Sequence, residues 1–461
     1  MRVVIVRPNS YILATAPPMG PASLAAWLKK KRGDDIYIID ARKKRLDHSR
    51  LADKVANLNP DVVGISALSV ESSDASETAK HVKKLLPEVP IVMGGPHASS
   101  APEEVMADPN VDFAVVSEGE ESFRKLLDRI ENGDTSETVQ GVWGRYGGEL
   151  KFGGQREPLD VSDLPIPAWN LLPMEDYFAP GRNTHDTVPA NVRCLQILTS
   201  RGCPFRCIYC HGIFGKTFRP RSPESVISEV ESIVNTFNLK AIEVCDDIFN
   251  LDMDRAKTIL RGLISMNISV SFPNGIRGDR VDAEMLYLME AAGVRRVSFA
   301  VESANSRVQK VIKKGLDLEK VSNNISAASK KHFLSTGYFI LGFPDETVEE
   351  MEETIRFAAQ SDLHIASFFY LTAFPGTEAA AIVEAKGLKP DKPPRDYSTI
   401  YVNVSAVPDK VLHKMRKRAY RKFYLNPRRL WRTFFVAPRK SSTFILAWKI
   451  LLLSLKDSVD Y

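Results

Sequence analysis

The chain has only five cysteines in 461 residues. They are too few and too unevenly placed for a disulfide framework, which suits a reducing compartment. Three of them fall between Cys203 and Cys210, and the others are Cys194 and Cys245. None precedes Cys194 or follows Cys245, so no second cysteine-rich centre can be built near either end. No signal-peptide pattern opens the chain. Met1-Arg2-Val3-Val4-Ile5-Val6 reads as a core strand, and a cytoplasmic location is expected. The apolar stretch Phe444–Leu453 is too short for a membrane span and contains Lys449. Acidic residues are missing from Lys410 to Lys440, where twelve Lys or Arg occur although the net charge is only +5. No short-period repeat is visible. With 44% hydrophobic and 26% charged residues, the chain reads as globular, with a length that suggests two or three domains.

Periodicity predicts an α/β fold. In residues 1–135, apolar strand runs at Val3–Val6, Ile36–Ile39, Val62–Ser66, Ile91–Met93 and Phe113–Val116 alternate with amphipathic helices such as Ala22–Lys31 and Ala75–Leu86. This pattern predicts a doubly wound parallel sheet, with ligand loops after the strands. Residues 136–190 read as a linker, with a hairpin in Gly141–Phe152 and a proline-rich stretch, Leu164–Trp169, that docks two domains. Residues 191–405 carry six further βα units, starting at Leu195–Thr199, which predict a (β/α)6 partial TIM barrel. Catalytic groups of such barrels lie at the carboxyl ends of the strands. Residues 406–461 form a basic, amphipathic helical tail.

Cys203-Pro204-Phe205-Arg206-Cys207-Ile208-Tyr209-Cys210 directly follows the first of those strands. Three thiolates at this spacing can hold three corners of a cubic iron–sulfur cluster, leaving one iron open to a ligand. A zinc site completed by His211 is the alternative. Preceded by Thr199-Ser200-Arg201-Gly202, the motif resembles the radical S-adenosylmethionine (SAM) superfamily over residues 195–380. The resemblance implies a [4Fe-4S] cluster on Cys203, Cys207 and Cys210. Its open iron binds SAM, and SAM is cleaved to a 5′-deoxyadenosyl radical. Later strand ends then become candidate SAM contacts. Asp246 or Asp247 would hold the amino group, a helix cap being the other reading. Asn274 and Arg277 suit ribose or carboxylate. Glu302 and Ser303 end the fourth strand. Gly342, in Gly337–Pro344, belongs to a strand like the family's adenine strand, and Phe374-Pro375-Gly376-Thr377 is another loop seen in the group.

The first domain resembles cobalamin-binding domains. Ser66-Ala67-Leu68 matches an SxL signature and Gly94-Gly95 a double glycine, so Ser66, Leu68, Gly94 and Gly95 are expected to meet cobalamin. The family's Asp-x-His-x-x-Gly signature is absent: the first loop reads Arg7-Pro8-Asn9-Ser10, and no histidine there can ligate cobalt. His97 and Ser117-Glu118-Gly119-Glu120 have ordinary loop and helix-start readings. Cys194 and Cys245 read as small buried hydrophobes.

Together these resemblances imply a cobalamin-dependent radical SAM enzyme. The leading expectation is methylation of an unactivated carbon of a lipid, isoprenoid, tetrapyrrole or other small metabolite. A cyclase or oxidoreductase without methyl transfer is the second reading, and a non-catalytic corrinoid-binding or sensor protein the third. An external electron donor of flavodoxin or ferredoxin type is expected. The basic tail suits either packing across the barrel or the surface of an anionic inner membrane. No recognised nucleic-acid module is present, and no nucleic-acid partner is expected.

Overall fold

The computed structural model describes residues 1–10, 16–134, 136–179, 192–331, 333–390 and 397–436. Its N-terminal sheet has five parallel strands, β1 (Arg2–Arg7), β2 (Asp35–Asp40), β3 (Val62–Ser66), β4 (Ile91–Gly94) and β5 (Phe113–Val115), followed by β6 (Val142–Tyr146) and β7 (Glu149–Phe152). The order is β2-β1-β3-β4-β5-β6-β7. Alternating side chains of one strand feed opposite cores. Val3 and Ile5 pack beneath the helices Met19–Lys31 and Gly119–Glu131, while Val4 and Val6 pack beneath His48–Ala56 and Ser72–Leu85. Burial on both faces explains why these strands read as continuous apolar runs.

The hairpin in the expected linker is an extension of this sheet. β6 pairs antiparallel with β5, and β7 pairs with β6. The α/β unit therefore continues past residue 135. Gly144 permits the pairing, because a Cβ there would lie 2.7 Å from the Phe113 ring.

The proline-rich segment touches both units. Ala168 N donates to Ala22 O (2.9 Å). Trp169, Met174, Tyr177 and Phe178 enter the core of the second unit, and Tyr177 donates to Asp40 (2.5 Å), which also takes a two-pronged pair from Arg7.

Six parallel strands then form two neighbouring triplets. One is β12 (Ser269–Ser271), β11 (Ala241–Val244) and β8 (Cys194–Ile197). The other is β13 (Arg296–Glu302), β14 (Leu334–Leu341) and β15 (Ile365–Tyr370). A single parallel bridge, Ile276 to Phe299, links them. A short antiparallel pair, β9 (Ser200–Arg201) and β10 (Arg219–Pro220), closes the base of the cysteine loop. This is the partial barrel expected from the six βα units.

The described part of the basic tail packs across the barrel. Helix Asp409–Tyr424 lies on β15: Phe368 meets the Tyr420 ring edge-on at 5.2 Å, and Arg416 Nε donates to Phe368 O (2.8 Å). No described helix is long and apolar enough to cross a membrane. The stretch Phe444–Leu453 lies outside the described residues.

Candidate active site

The cysteine loop is held by backbone bonds at several points. Ile208 N donates to Ile312 O (3.2 Å), Ala379 N to Ile208 O (2.8 Å), and Cys210 N to Cys207 O (3.1 Å). Gly202 opens the loop with φ +81, where a Cβ would sit 2.2 Å from Thr217 O, so only glycine fits. The Arg277 guanidinium lies 3.8 Å from the Phe205 ring centroid and donates to the carbonyls of Lys314 and Gly315. It braces the loop from outside.

One of the three thiols is already disposed to ionise. Cys207 is held down to about 6 by a hydrogen bond from Cys210 and by the nearby Lys314 charge, against its own burial. Burial pushes the Cys203 thiol up. The hydrogen bond to Cys207 and burial push the Cys210 thiol up. Among the described residues, no three such side chains already stand at metal-ligand distance; the fit rests on the spacing of the three cysteines. His211, the fourth ligand a zinc site would need, is engaged elsewhere. Its Nδ1 pairs with Ser100 Oγ (3.2 Å), and its ring packs 5.6 Å from Phe374. Cys194 and Cys245 are free thiols whose acidity burial suppresses.

The strand-end candidates divide into two groups. Asp246 is buried and accepts from Thr199 N (2.6 Å), Thr199 Oγ1 (2.5 Å) and Ser200 Oγ (2.6 Å). It braces the chain just before the cysteines. Ser303 is fully buried against Thr354 and supports a turn through Asn305 N. Gly342 has φ +91, and a Cβ there would press on Leu412 at 3.0 Å, so it serves the packing of the C-terminal helix. Asp247 is exposed and accepts from Gly202 N (3.2 Å), beside Cys203. Asn274 spans the carbonyls of Cys245 and Asp246.

Glu302 faces the cysteine loop through Lys314, whose Nζ lies 2.9 Å from Glu302 Oε1 and 3.3 Å from Tyr209 OH. The Glu302 backbone has φ +66, next to a register shift in β13. Strain of this kind, worth about 1–3 kcal/mol, concentrates at functional sites.

The barrel lumen has an aromatic wall. Phe339, Leu341, Phe368 and Tyr370 pack outward into the helical core. Strand alternation therefore turns Tyr338, Ile340, Ser367 and Phe369 inward. Phe369 meets Tyr338 at 6.2 Å and Tyr397 at 5.9 Å, and Tyr397 meets Phe374 at 5.5 Å.

At the carboxyl edge of the N-terminal sheet, where the strand order reverses between β1 and β3, lies a cavity of ≈ 370 Å³. Ser66, Ala67, Leu68, Gly94, Gly95 and Pro96 line one side of it, and Leu198, Arg201, Ile213 and Phe214 the other. All four cobalamin candidates of the sequence thus meet in one place, while His97 lies outside the lining. Gly95 has φ +86, and a Cβ would approach Ser66 Oγ at 3.0 Å and Ala67 O at 3.1 Å. With ψ −168 this backbone is essentially confined to glycine and penalises a side chain by about 1–3 kcal/mol. Gly95→Ala is therefore expected to push this wall inward and raise the Kd for hydroxocobalamin by about tenfold, read by absorbance titration. An unchanged Kd would remove Gly95 from the cradle.

Three features were not anticipated. Arg201 is buried and bridges Glu118 (2.7 Å) and Glu120 (2.6 Å), while Arg219 adds a second bond to Glu118 (2.9 Å). The acidic helix start of the first unit is thereby ion-paired to the base of the cysteine loop. Lys314, beside the thiols, had no local signal. Glu346 follows Gly342-Phe343-Pro344-Asp345, and its Oε2 accepts from the Gly342 and Phe343 amides at 2.7 and 3.1 Å.

Burial pushes the Glu346 carboxyl up to about 8 from an ordinary 4.5. Folding thus favours the protonated form. The resulting stabilisation is full below about pH 4.5 and is lost as pH rises through about 8. Glu346→Gln is expected to flatten the fall of Tm across that window in thermal melts; a slope like that of the parent protein rejects this assignment.

Comparison with known proteins agrees with this geometry. Residues 197–358 match the model of the radical SAM superfamily, and residues 10–127 that of the B12 binding domain. A Pyrococcus horikoshii protein named as an uncharacterized methyltransferase is 33% identical over 94% of this chain and 95% of its own length. Cytidylyl-2-hydroxyethylphosphonate methyltransferase of Streptomyces wedmorensis is 29% identical over 75% of this chain and 70% of its own. The solved structure of OxsB, a cobalamin-dependent SAM radical enzyme, superposes with a TM-score of 0.75 at 18% identity, covering 100% of this chain and 76% of that one. The cysteine loop on a partial barrel, facing a sheet-edge cavity in a B12-binding domain, thus has its explanation in descent: this chain belongs to the cobalamin-dependent radical SAM enzymes, whose cofactors are a [4Fe-4S] cluster, SAM and cobalamin.

Proposed function

We propose that the protein methylates an unactivated carbon of an apolar or planar small molecule. One observation carries this reading: residues from the cysteine-loop region, Arg201, Ile213 and Phe214, line the same cavity as Ser66, Leu68, Gly94 and Gly95. A methyl carrier and a radical generator seated there would share one space. When bound, the cluster and SAM supply the radical and the corrinoid carries the methyl group.

The chain's own residues then have distinct tasks. Cys203, Cys207 and Cys210 hold the cluster. Lys314 sets positive charge beside their sulfurs. Glu302, Asn274 and Asp247 border the SAM position, and Asp246 and Arg277 keep the loop in place. Tyr338, Phe369 and Tyr397 offer aromatic faces on which a planar or apolar group can rest. Five cysteines allow one cluster only, so the electron would come from a separate donor of flavodoxin or ferredoxin type.

Anaerobically reconstituted protein, given cobalamin, a strong reductant, labelled-methyl SAM and a small-molecule extract of the source cells, tests the reading. Expected are S-adenosylhomocysteine, 5′-deoxyadenosine and label in a product. Formation of 5′-deoxyadenosine with no label transfer sinks methylation and leaves a radical cyclisation or oxidation. Failure to cleave SAM points to the non-catalytic alternative.

A further inference from the structure

We propose that helix Pro427–Val436 is an anchor for an anionic lipid surface, and that it holds the enzyme with its barrel mouth turned away from that surface. The inference goes beyond the reaction and does not depend on it.

The helix is fixed from below by one residue. Arg429 is buried and donates to the carbonyls of Leu363 (3.0 Å), Phe423 (2.6 Å), Ala358 (3.3 Å), Ala359 (2.8 Å) and Ser361 (2.9 Å), with its guanidinium 3.7 Å from the Phe423 ring centroid. Thr433, one turn on, is buried beside it and bonds His364 O. Helical spacing then turns Trp431, Phe435 and Arg428 to the opposite side. Trp431 is 68% exposed and Phe435 60%, with their rings 4.9 Å apart, and Leu425 is exposed at the preceding turn. A soluble protein has little use for a paired Trp and Phe held out in water by a five-carbonyl clamp.

Charge complementarity selects the occupant. The stretch Lys410–Lys440 has twelve cationic and no acidic residues; Arg429 is taken up by the clamp, Arg418 and Lys422 pair with Glu352, and Arg432 pairs with Asp362. Arg428, on the same helix, and Arg421, on the preceding one, remain exposed. Aromatic rings at headgroup depth with exposed Arg nearby suit an anionic bilayer surface.

Orientation follows from the clamp. Four of the five carbonyls that Arg429 takes, those of Ala358, Ala359, Ser361 and Leu363, lie at the end of helix Val348–Gln360 and in the turn entering β15, at the amino end of the barrel strands. The cysteine loop and Glu302 lie at the carboxyl ends. A surface touching Trp431 therefore meets the floor of the barrel.

The test is co-sedimentation of the full, cofactor-loaded chain with vesicles. Phosphatidylcholine vesicles containing about a third phosphatidylglycerol are compared with pure phosphatidylcholine; a headgroup fraction in this range gives a surface potential like that of a cytoplasmic leaflet. Binding is expected to the anionic vesicles only, and to be lost between about 0.1 M and about 1 M salt as the screening length shrinks from about 10 to about 3 Å. Arg428→Glu should weaken partitioning by at least about fivefold. Trp431→Ala with Phe435→Ala should weaken it by about tenfold or more. Both sets of positions are solvent-exposed, so melting temperature and cofactor content should not change. Absence of binding to anionic vesicles overturns the proposal. So does binding that the aromatic pair does not affect, which would assign the attachment to another part of the chain.

Discussion

Replacing Cys207 by alanine is expected to abolish SAM cleavage and leave cobalamin binding intact. Cys207 is the thiol most disposed to ionise, being hydrogen-bonded by Cys210 and close to the Lys314 charge. Three ligands is the minimum for a cubic cluster with one open iron, so losing one removes the site for SAM as well as the electron route. The purified variant should lack cluster absorbance and produce no 5′-deoxyadenosine above background. Its hydroxocobalamin titration should match the parent, because the cavity lining does not include Cys207. Cleavage at a rate comparable with the parent would show that this loop is not the cluster site.

Arg201→Ala is expected to produce the largest loss of stability from a single residue. The guanidinium is buried and joins Glu118 and Glu120 across the junction of the two units. Breaking a buried pair by removing one partner costs about 3–5 kcal/mol. In a protein of this size that lowers Tm by roughly 3–5 °C. Arg219 and Arg156 still face Glu118, so the main orphan is Glu120, and adding Glu120→Leu should restore part of the loss. Because Arg201 also lines the cavity, a second readout separates position from stability. Measured well below the melting point, SAM cleavage should persist while methyl transfer per cleavage falls. A variant with near-parental Tm and unchanged coupling would refute the role.

The βα order, the cysteine loop and the two cobalamin signatures were legible because each is local. Strands buried on both faces are continuous apolar runs, and a loop ligand set appears as spacing. The strand-end residues were less legible for a physical reason. A carboxylate at a strand end accepts hydrogen bonds equally well from a ligand ammonium or from neighbouring protein groups, and Asp246 takes Thr199 N and the Thr199 and Ser200 hydroxyls. Gly342 reads like a ligand-strand glycine, yet its tightest neighbour is Leu412, seventy residues downstream. The Glu118–Arg201 pair spans 83 residues, and no period or motif connects such positions. The hairpin was visible as a hairpin, but its partner β5 was not, since an edge strand carries no record of which edge it will join.

Gly376 bears on how the two units are held together. At φ +77, its missing Cβ leaves room for Ser100, whose carbonyl oxygen would otherwise lie 3.0 Å away, while Ser100 Oγ reaches His211. The last barrel loop therefore rests directly on the end of the N-terminal unit. With the Arg201 pairs and the Tyr177–Asp40 bond, it pins the two units on separate sides of the cavity. Among the described residues the two units are thus tied at three separate points, so sliding one past the other would have to break an ion pair, a hydrogen bond and a packed loop at once.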